Sequence, residues 1–390
     1  MSNKTNIGAL GTLAILMIFP IQMGMTCVTP AMAVLAEHWG MTVADAAYLS
    51  TLSTITTTVT TILLGAVAGK KLKFRTCAIL GSAIYLIGGV GPAFFDNYVL
   101  TLVFRAIMGI GIGFMMPIGN ALIIGHFDGD KQSKILGYGT LFMNLGGLIF
   151  QTLGGTLVEM EWNYVFYAHL FGITSLIMAF FIKEPEILAA PEPAGKVKTP
   201  ISKVVIAAAA VLFMFNIFVY PAMMNVSTIF LDKGIGGADL AAMSLNIYTI
   251  FGCVGGFVFG SIFTRAQRFV LPMGFLLAAA GCYGVSVTDQ FMVMNVCLAM
   301  IGFGFANILP AINAWVGISV EPKFVAGSIG IVMALMNLGA FCSTYYLQIL
   351  QIVANDAVYL PITIGAVVFV AVAVMFIVYN PFKKTKEAAC

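Results

Sequence analysis

Twelve apolar runs, each of about 20 residues or more, divide this chain, and that is the length a helix needs to cross the hydrocarbon core of a bilayer. Charge breaks and turn residues set six of them at about 7–36, 46–68, 76–95, 98–124, 135–158 and 164–182. The other six fall at about 204–231, 240–263, 269–287, 291–320, 325–352 and 358–379. With 60% apolar and only 9% charged residues, the chain cannot be a soluble domain hiding a core. Only helices satisfy every backbone group within such a segment, and the alternation of outer-membrane strands is absent. The expected fold is an all-α membrane protein of twelve transmembrane helices. Ala31-Met32-Ala33 could pass for a signal-peptidase site, but the run from 7 to 36 is too long for a signal core and reads as a retained helix.

Orientation follows from where the cations fall. Seventeen of the 19 lysines and arginines lie on one side: Lys4, Lys70, Lys71, Lys73, Arg75, Lys131, Lys134, Lys183, Lys196, Lys198, Lys203, Arg265, Arg268, Lys323, Lys383, Lys384 and Lys386. Lys233 falls on the other side and Arg105 inside helix four. The positive-inside rule then puts both termini in the cytoplasm of a bacterial-type inner membrane. Seven acids fall on the cytoplasmic side and nine, from Glu37 to Asp356, at the outer ends, so none lies deep in the bilayer. The stretch 185–202, with Pro185, Pro191, Pro193 and Pro200, reads as a cytoplasmic linker between halves 1–184 and 203–390.

Arg105 is the residue that asks for an explanation. An arginine near the bilayer centre costs roughly 2.5–3.5 kcal/mol on insertion scales, so it turns toward the bundle interior or a cavity and has a partner or a task. No acid is placed to pair with it. Glycines 109, 111 and 113 strip side chains from the same helix, which lets a neighbour approach, and Pro117 removes a backbone hydrogen bond and is expected to kink it. A buried structural role and a place on a transport pathway both fit.

Seven cysteines are an odd number, six of them inside apolar runs and Cys390 at the end, and are expected as free thiols. None has metal-ligand spacing with His38, His126 or His169, so neither metal nor cofactor is expected. No phosphate-cradling Gly-x-x-x-x-Gly-Lys is present.

The two halves repeat. Gly109, Gly111, Pro117 and Asn120 recur as Gly302, Gly304, Pro310 and Asn313, and Met143-Asn144-Leu145-Gly146 recurs as Met336-Asn337-Leu338-Gly339, each time 193 residues on. Parallel halves of this kind place a substrate site near the midplane between them. Leu298 stands at the repeat position of Arg105, so whatever the arginine does, one half does alone.

In these features the chain resembles the major facilitator superfamily over nearly its whole length. Gly65 to Arg75 resembles the family's basic loop between helices two and three, with Gly260 to Arg268 as a degenerate second copy. Arg105 with its glycines resembles the fourth-helix motif of drug and sugar efflux members, and Trp162 to Phe166 resembles the start of helix six. Two departures stand out: the loop motif's acid is replaced by Gly69, with Thr264 in the second copy, and helix five lacks the antiporters' Gly-Pro before its glycine pair. The resemblance implies two pseudo-symmetric six-helix halves with helices one, four, seven and ten lining a cavity.

Those helices hold the candidate substrate-binding residues Arg105, Gln22, Thr26, Asn120, Asn216, Tyr220, Asn225, Asn307 and Asn313, most of them beside prolines. Gln22 and Thr26 share a face at i, i+4 spacing if helix one is α-helical there. The amides can instead bond carbonyls freed by the proline breaks. Conformational roles fall to Gly65, Gly69, Lys70, Lys71, Gly109, Gly113, Pro117, Gly256, Gly260, Arg265 and Pro310, the glycines by letting helices close on one another. Nine Ser or Thr residues among the twelve from Ser50 to Thr61 are expected to bond mostly within their own helix. His169 reads as a structural histidine on a peripheral helix.

The function these features imply is export of a small neutral or anionic organic compound by a secondary transporter, with no enzymatic role. Organic-anion uptake, with Arg105 as a carboxylate clamp, is the alternative. A membrane sensor without flux and an intramembrane hydrolase are the rivals from other classes. The expected partners are the small-molecule substrate, a coupling proton or other ion, and the bilayer, with no nucleic acid and a monomeric state.

Overall fold

A computed structural model of the chain describes residues 7–65, 68, 72–127, 129–185 and 202–382. Gly69, Lys70, Lys71 and linker residues 186–201 lie outside the described residues, as do Lys4 and the terminal lysines. Among the described residues there is helix and turn but no β-strand. Ten stretches are long and apolar enough to cross a membrane, and one of these, Ala238–Val287, holds two helices in succession.

Contacts within the chain define two compact units, residues 1–39 with 48–197 and residues 40–47 with 198–390. The first contains α1 (Gly8–Leu16), α2 (Met32–His38), α4 (Tyr48–Gly65), α5 (Phe74–Val90), α6 (Tyr98–His126), α7 (Gly129–Val158) and α8 (Gly172–Ala179). The second contains α3 (Val43–Ala46), α9 (Lys203–Met224), α10 (Val226–Asp232), α11 (Ala238–Ala266), α12 (Val270–Val287), α13 (Phe291–Ser319), α14 (Pro322–Ala354) and α15 (Tyr359–Val378). Grouping by contact is thus not a single cut at the linker, because α3 packs on α14 through Ala44, Ala47, Leu347 and Ala357.

Helix one is not the continuous helix that its apolar run suggests. Between α1 and α2, residues Pro20–Val28 form a 3-10 segment bounded by Pro20 and Pro30, positions where a proline withholds a backbone donor. A 3-10 turn takes three residues, so positions four apart point about 120° from one another. Gln22 and Thr26 therefore do not share a face: Gln22 is buried, while Thr26 is half-buried and donates to Met23 O at 2.7 Å. Helix seven likewise divides at Asn225, between α9 and α10.

The helices pack by backbone approach at glycines, and the approach repeats between the units. A Cβ placed on Gly111 would lie 2.7 Å from Gly81 O and 2.4 Å from Tyr85 N; one on Gly304 would lie 2.6 Å from Gly274 O and 3.3 Å from Ala278 N. Gly88 meets Met108 N where Gly281 meets Ile301 N, and Gly146 meets Pro20 O where Gly339 meets Phe213 O. Every one of these partners is displaced by the same 193 residues as the glycines themselves. The repeat is one of contacts, not only of letters.

Around these approaches the second unit fills with aromatic side chains. Phe215 of α9 stacks on Phe305 of α13 and on Phe369 of α15, with ring centroids 5.4 and 5.0 Å apart. Large apolar side chains also cover outward faces, with Phe257 92% and Val378 82% exposed. Water would not tolerate such a surface, whereas lipid solvates it. Six cysteines, Cys27, Cys77, Cys253, Cys282, Cys297 and Cys342, are free thiols, as expected.

Candidate functional site

Arg105 has no accessible surface. Its Nε donates to Leu49 O at 2.6 Å, Nη2 to Met25 O at 3.1 Å, and Nη1 to Met108 Sδ at 3.3 Å and His169 Nε2 at 3.2 Å. Those acceptors come from α4, from the 3-10 segment of helix one, from α6 itself and from the 3-10 segment Trp162–Phe171 that begins helix six. One guanidinium therefore ties four stretches of the first unit together. Guanidinium can only donate, so His169 accepts through Nε2 and is neutral with its proton on Nδ1. That nitrogen lies 2.9 Å from Tyr85 Oη. His169 and Tyr85 are themselves fully buried. Among the described residues no acid pairs with Arg105: its acceptors are neutral, and each takes a charge-assisted bond.

Helix α6 is held against α4 by a ladder of hydroxyls. Ser53 donates to Arg105 O at 2.9 Å, Thr57 to Gly109 O at 2.9 Å and Thr61 to Gly113 O at 3.3 Å. The last bond has a local cause, since Pro117 has no N–H to offer Gly113 O four residues earlier. With that acceptor supplied from outside, α6 runs on through Pro117 to His126. The expectation of own-helix bonding holds for Thr54, Thr56 and Thr58, whereas Ser53, Thr57 and Thr61 cross to the neighbour. The glycines serve two faces: Gly109 and Gly113 lie against α4, and Gly111 lies against α5.

The remaining candidates divide by unit. In the first, Gln22 is buried with no partner for its Nε2, and Asn120 is exposed. In the second, Asn216 and Asn307 donate to Leu212 O and Phe303 O, four residues back in their own helices, at 3.0 and 2.8 Å. These are not the carbonyls opened by Pro221 and Pro310, which belong to Ile217 and Ala306. Asn225 donates across to Ala357 O at 2.9 Å. The side-chain carbonyl oxygens of Asn225, Asn307 and Asn313 are buried and without partners. Tyr220 is half-buried and Arg265 exposed, and a Cβ on Gly256 or Gly260 would meet nothing within 4 Å.

Carboxylates work at the helix ends. Glu184, just past helix six, accepts from Phe74 N at 3.2 Å and Arg75 N at 2.7 Å, capping the start of α5 beside the basic loop. This is an acid brought by the fold to a loop whose own motif position is Gly69. At the opposite end, Asp96 accepts from His38 and Trp39 at 2.9 and 3.0 Å, and these bonds hold its carboxyl below the usual range. Lys233 donates to Ser286 O and Thr288 O at 2.8 and 2.7 Å, and burial pushes its ammonium down against the opposing pull of Asp289 and Asp232.

Reading the sequence did not single out Tyr85, or the Met25 and Leu49 carbonyls. No local motif marks them, because 80 residues separate Met25 from Arg105 and 84 separate Tyr85 from His169. One signal was available in the repeat: 193 residues on, Tyr85, Arg105 and His169 become Ala278, Leu298 and Ile362.

The chain is 26% identical over 239 residues to the multidrug transporter protein MdtP of Bacillus subtilis, an alignment spanning 60% of this chain and 39% of that protein. It is 27% identical over 169 residues to the quinolone resistance protein NorA of Staphylococcus aureus, covering 42% of each. The chain thus spans less than half the length of these curated relatives. Among solved structures, the nucleoside transporter NupG superposes with a TM-score of 0.78 at 13% identity, over 96% of this chain and 98% of that one, which speaks to the fold. The sequence profile of the Major Facilitator Superfamily matches residues 14–344, and the chain belongs to that family.

Proposed function

We propose that the protein is a secondary transporter that exports small neutral or anionic organic compounds by alternating access of its halves 1–184 and 203–390. The observation that carries the charge preference is Arg105: among the described residues it is the one buried side chain with a permanent charge, and its partners are neutral. A cavity that accepts a cation needs a negative group at depth, because leaving that charge unsolvated costs several kcal/mol. No carboxylate is buried in either unit among the described residues. Carboxylates that could carry a coupled proton stand at helix ends, as Asp45 and Asp232 do.

Substrate contacts are assigned to Gln22, Thr26 and Asn120 in the first half and Asn216, Tyr220, Asn225, Asn307 and Asn313 in the second. Unpartnered amide oxygens on Asn225, Asn307 and Asn313 and the free amide nitrogen of Gln22 support this reading. Export is favoured over uptake because Arg105 would have to give up four acceptors to clamp a carboxylate. The similarity to the multidrug transporter protein MdtP and the quinolone resistance protein NorA supports the same reading. The reading takes twelve crossings, counting α11 and α12 separately within the ten apolar stretches and adding helix six, and takes both termini as cytoplasmic from the distribution of cations.

Proteoliposomes offered matched cationic, neutral and anionic aromatic compounds test the proposal. Saturable, gradient-driven flux of the neutral and anionic members is expected. Equal or better flux of the lipophilic cation would overturn the charge preference, and no flux of any member above protein-free vesicles would count against transport itself.

A further inference from the structure

The second unit is an internal control for the buried polar network of the first. The backbone approaches of Gly81, Gly88 and Gly111 recur at an offset of 193 residues, which identifies the positions equivalent to Tyr85 and Arg105 by packing, and the same offset in sequence gives that of His169. They are Ala278, Leu298 and Ile362, each with no exposed surface, and they belong to one continuous apolar core. The second unit is thus built at these positions without a polar side chain, and there the counterpart of the 3-10 segment, residues 213–221, lies within the regular helix α9. Replacing a buried charge and its partners by apolar groups is often neutral or stabilising, so closing the core does not require the network, and what sets the first half apart is the 3-10 segment that the network bonds.

Its geometry shows what it holds. The guanidinium reaches the Met25 carbonyl in the middle of the 3-10 segment Pro20–Val28, between Gln22 and Thr26. Nη1 is fixed by His169 Nε2 at 3.2 Å, and His169 is fixed by Tyr85 at 2.9 Å. Both outer members sit in contact with glycines: a Cβ on Gly89 would lie 2.6 Å from the His169 ring, and one on Gly24 would lie 2.2 Å from Tyr85 Oη. Tyr85 thus touches the same 3-10 segment that Arg105 bonds. An apolar core would hold that segment by volume alone, whereas a directed bond can be broken and made again.

We propose that Tyr85 and His169 are positioning residues for transport, which act through Arg105 to hold the 3-10 segment of helix one and the two polar side chains it presents. The inference rests on the alternating-access reading, in which helix one must shift as the halves rock. His169 acts by accepting one bond and donating another, without a change of protonation.

The test reads the position of the segment directly and needs no substrate. In full-length protein in nanodiscs, with native cysteines replaced, Thr26→Cys is labelled with a maleimide, and Val219→Cys, its counterpart in the second half, serves as control. His169→Ile is expected to raise labelling at position 26 by tenfold or more and leave position 219 within twofold. His169→Gln keeps an acceptor toward Arg105 and a donor toward Tyr85, and is expected to stay within twofold of the parent at both. The combined Arg105→Leu, His169→Ile, Tyr85→Phe variant should unfold at a temperature close to the parent while labelling fast. Unchanged labelling in His169→Ile, fast labelling in His169→Gln, or collapse of the combined variant would each overturn the proposal. A failure of flux in proteoliposomes would leave these labelling results standing, so loss of the transport reading and loss of this one are distinguishable.

Discussion

Lysine at position 105 should be worse for the folded protein than leucine, although lysine keeps the charge. Arg105 uses four acceptors spread over four stretches of chain, with Leu49 O at 2.6 Å on one side and Met25 O at 3.1 Å on another. A lysine ammonium is a single point on a flexible stem and cannot span them as a planar fork does. It keeps two partners at best. Two lost bonds to a charged group, at about 1.5–3 kcal/mol each, put Arg105→Lys about 3–6 kcal/mol below the parent. Arg105→Leu removes the charge together with its bonds. Leu49 and Met25 lie inside helical turns, where their carbonyls also accept from the backbone, so the acceptors left bare are the Met108 thioether, a weak one that costs little, and His169 Nε2, at about 1–3 kcal/mol. Leu298 shows that leucine fits the equivalent space. Thermal unfolding in detergent, followed by a thiol-reactive dye as buried cysteines such as Cys27 open, gives the order. A lysine variant within about 0.5 kcal/mol of the parent, or a leucine variant clearly below the lysine one, would show that these bonds do not govern the site.

Two further predictions concern packing and pH. Gly111→Ala and Gly304→Ala place a Cβ against backbone atoms that cannot rotate away, 2.4 and 2.6 Å off at the nearest, and each should cost about 1–3 kcal/mol or more in the same unfolding assay; Gly256→Ala, with nothing within 4 Å, should lose nothing, and equal costs at the three sites would refute the reading. Asp96 has its carboxyl held down by His38 first and Trp39 next, so the stability it contributes is present above the ordinary carboxylate range and is lost as pH falls through its lowered value. Tryptophan emission from Trp39 should therefore stay constant as pH falls through the ordinary carboxylate range and change only below it, and Asp96→Asn should lack that late transition.

Much of the architecture was legible because lipid imposes a simple grammar. Apolar length fixed where helices lie, and the repeated Gly109 and Gly302, or Gly146 and Gly339, lie where close backbone approach does recur. What could not be read was the form of helix one. Pro20 and Pro30 marked breaks, but whether the residues between them turn every 3.6 or every 3 residues depends on the tertiary packing around them, and this decides whether Gln22 and Thr26 face together. The site was legible only as a question. Arg105 declared itself by charge, while its acceptors are backbone carbonyls and a neutral imidazole, which have no signature in composition. The hydroxyls of Ser53, Thr57 and Thr61 were visible as a run, but their direction across to α6 depended on the register between two helices.

That register connects the packing to the polar network. The ladder from α4 steps four residues at a time, as the carbonyls of Arg105, Gly109 and Gly113 do on α6, and the bare faces of Gly109 and Gly113 let the two helices approach closely enough for each hydroxyl to reach. Sliding one helix past the other by less than a full turn would break all three bonds together. The Arg105 side chain leaves the same helix at the first rung and bonds Leu49 O, one turn before Ser53 on α4. The ladder therefore fixes the height of the guanidinium, and His169 with Tyr85 fixes its direction toward helix one. With α4 and α6 locked in register, Arg105 meets the 3-10 segment through one charge-assisted bond, to Met25 O, and this is stronger than the sulfur contacts that also tie the segment down, from Thr54 to Met25 Sδ at 3.4 Å and from Cys27 to Val165 O at 3.3 Å, so loss of the guanidinium bond is the step that most loosens it.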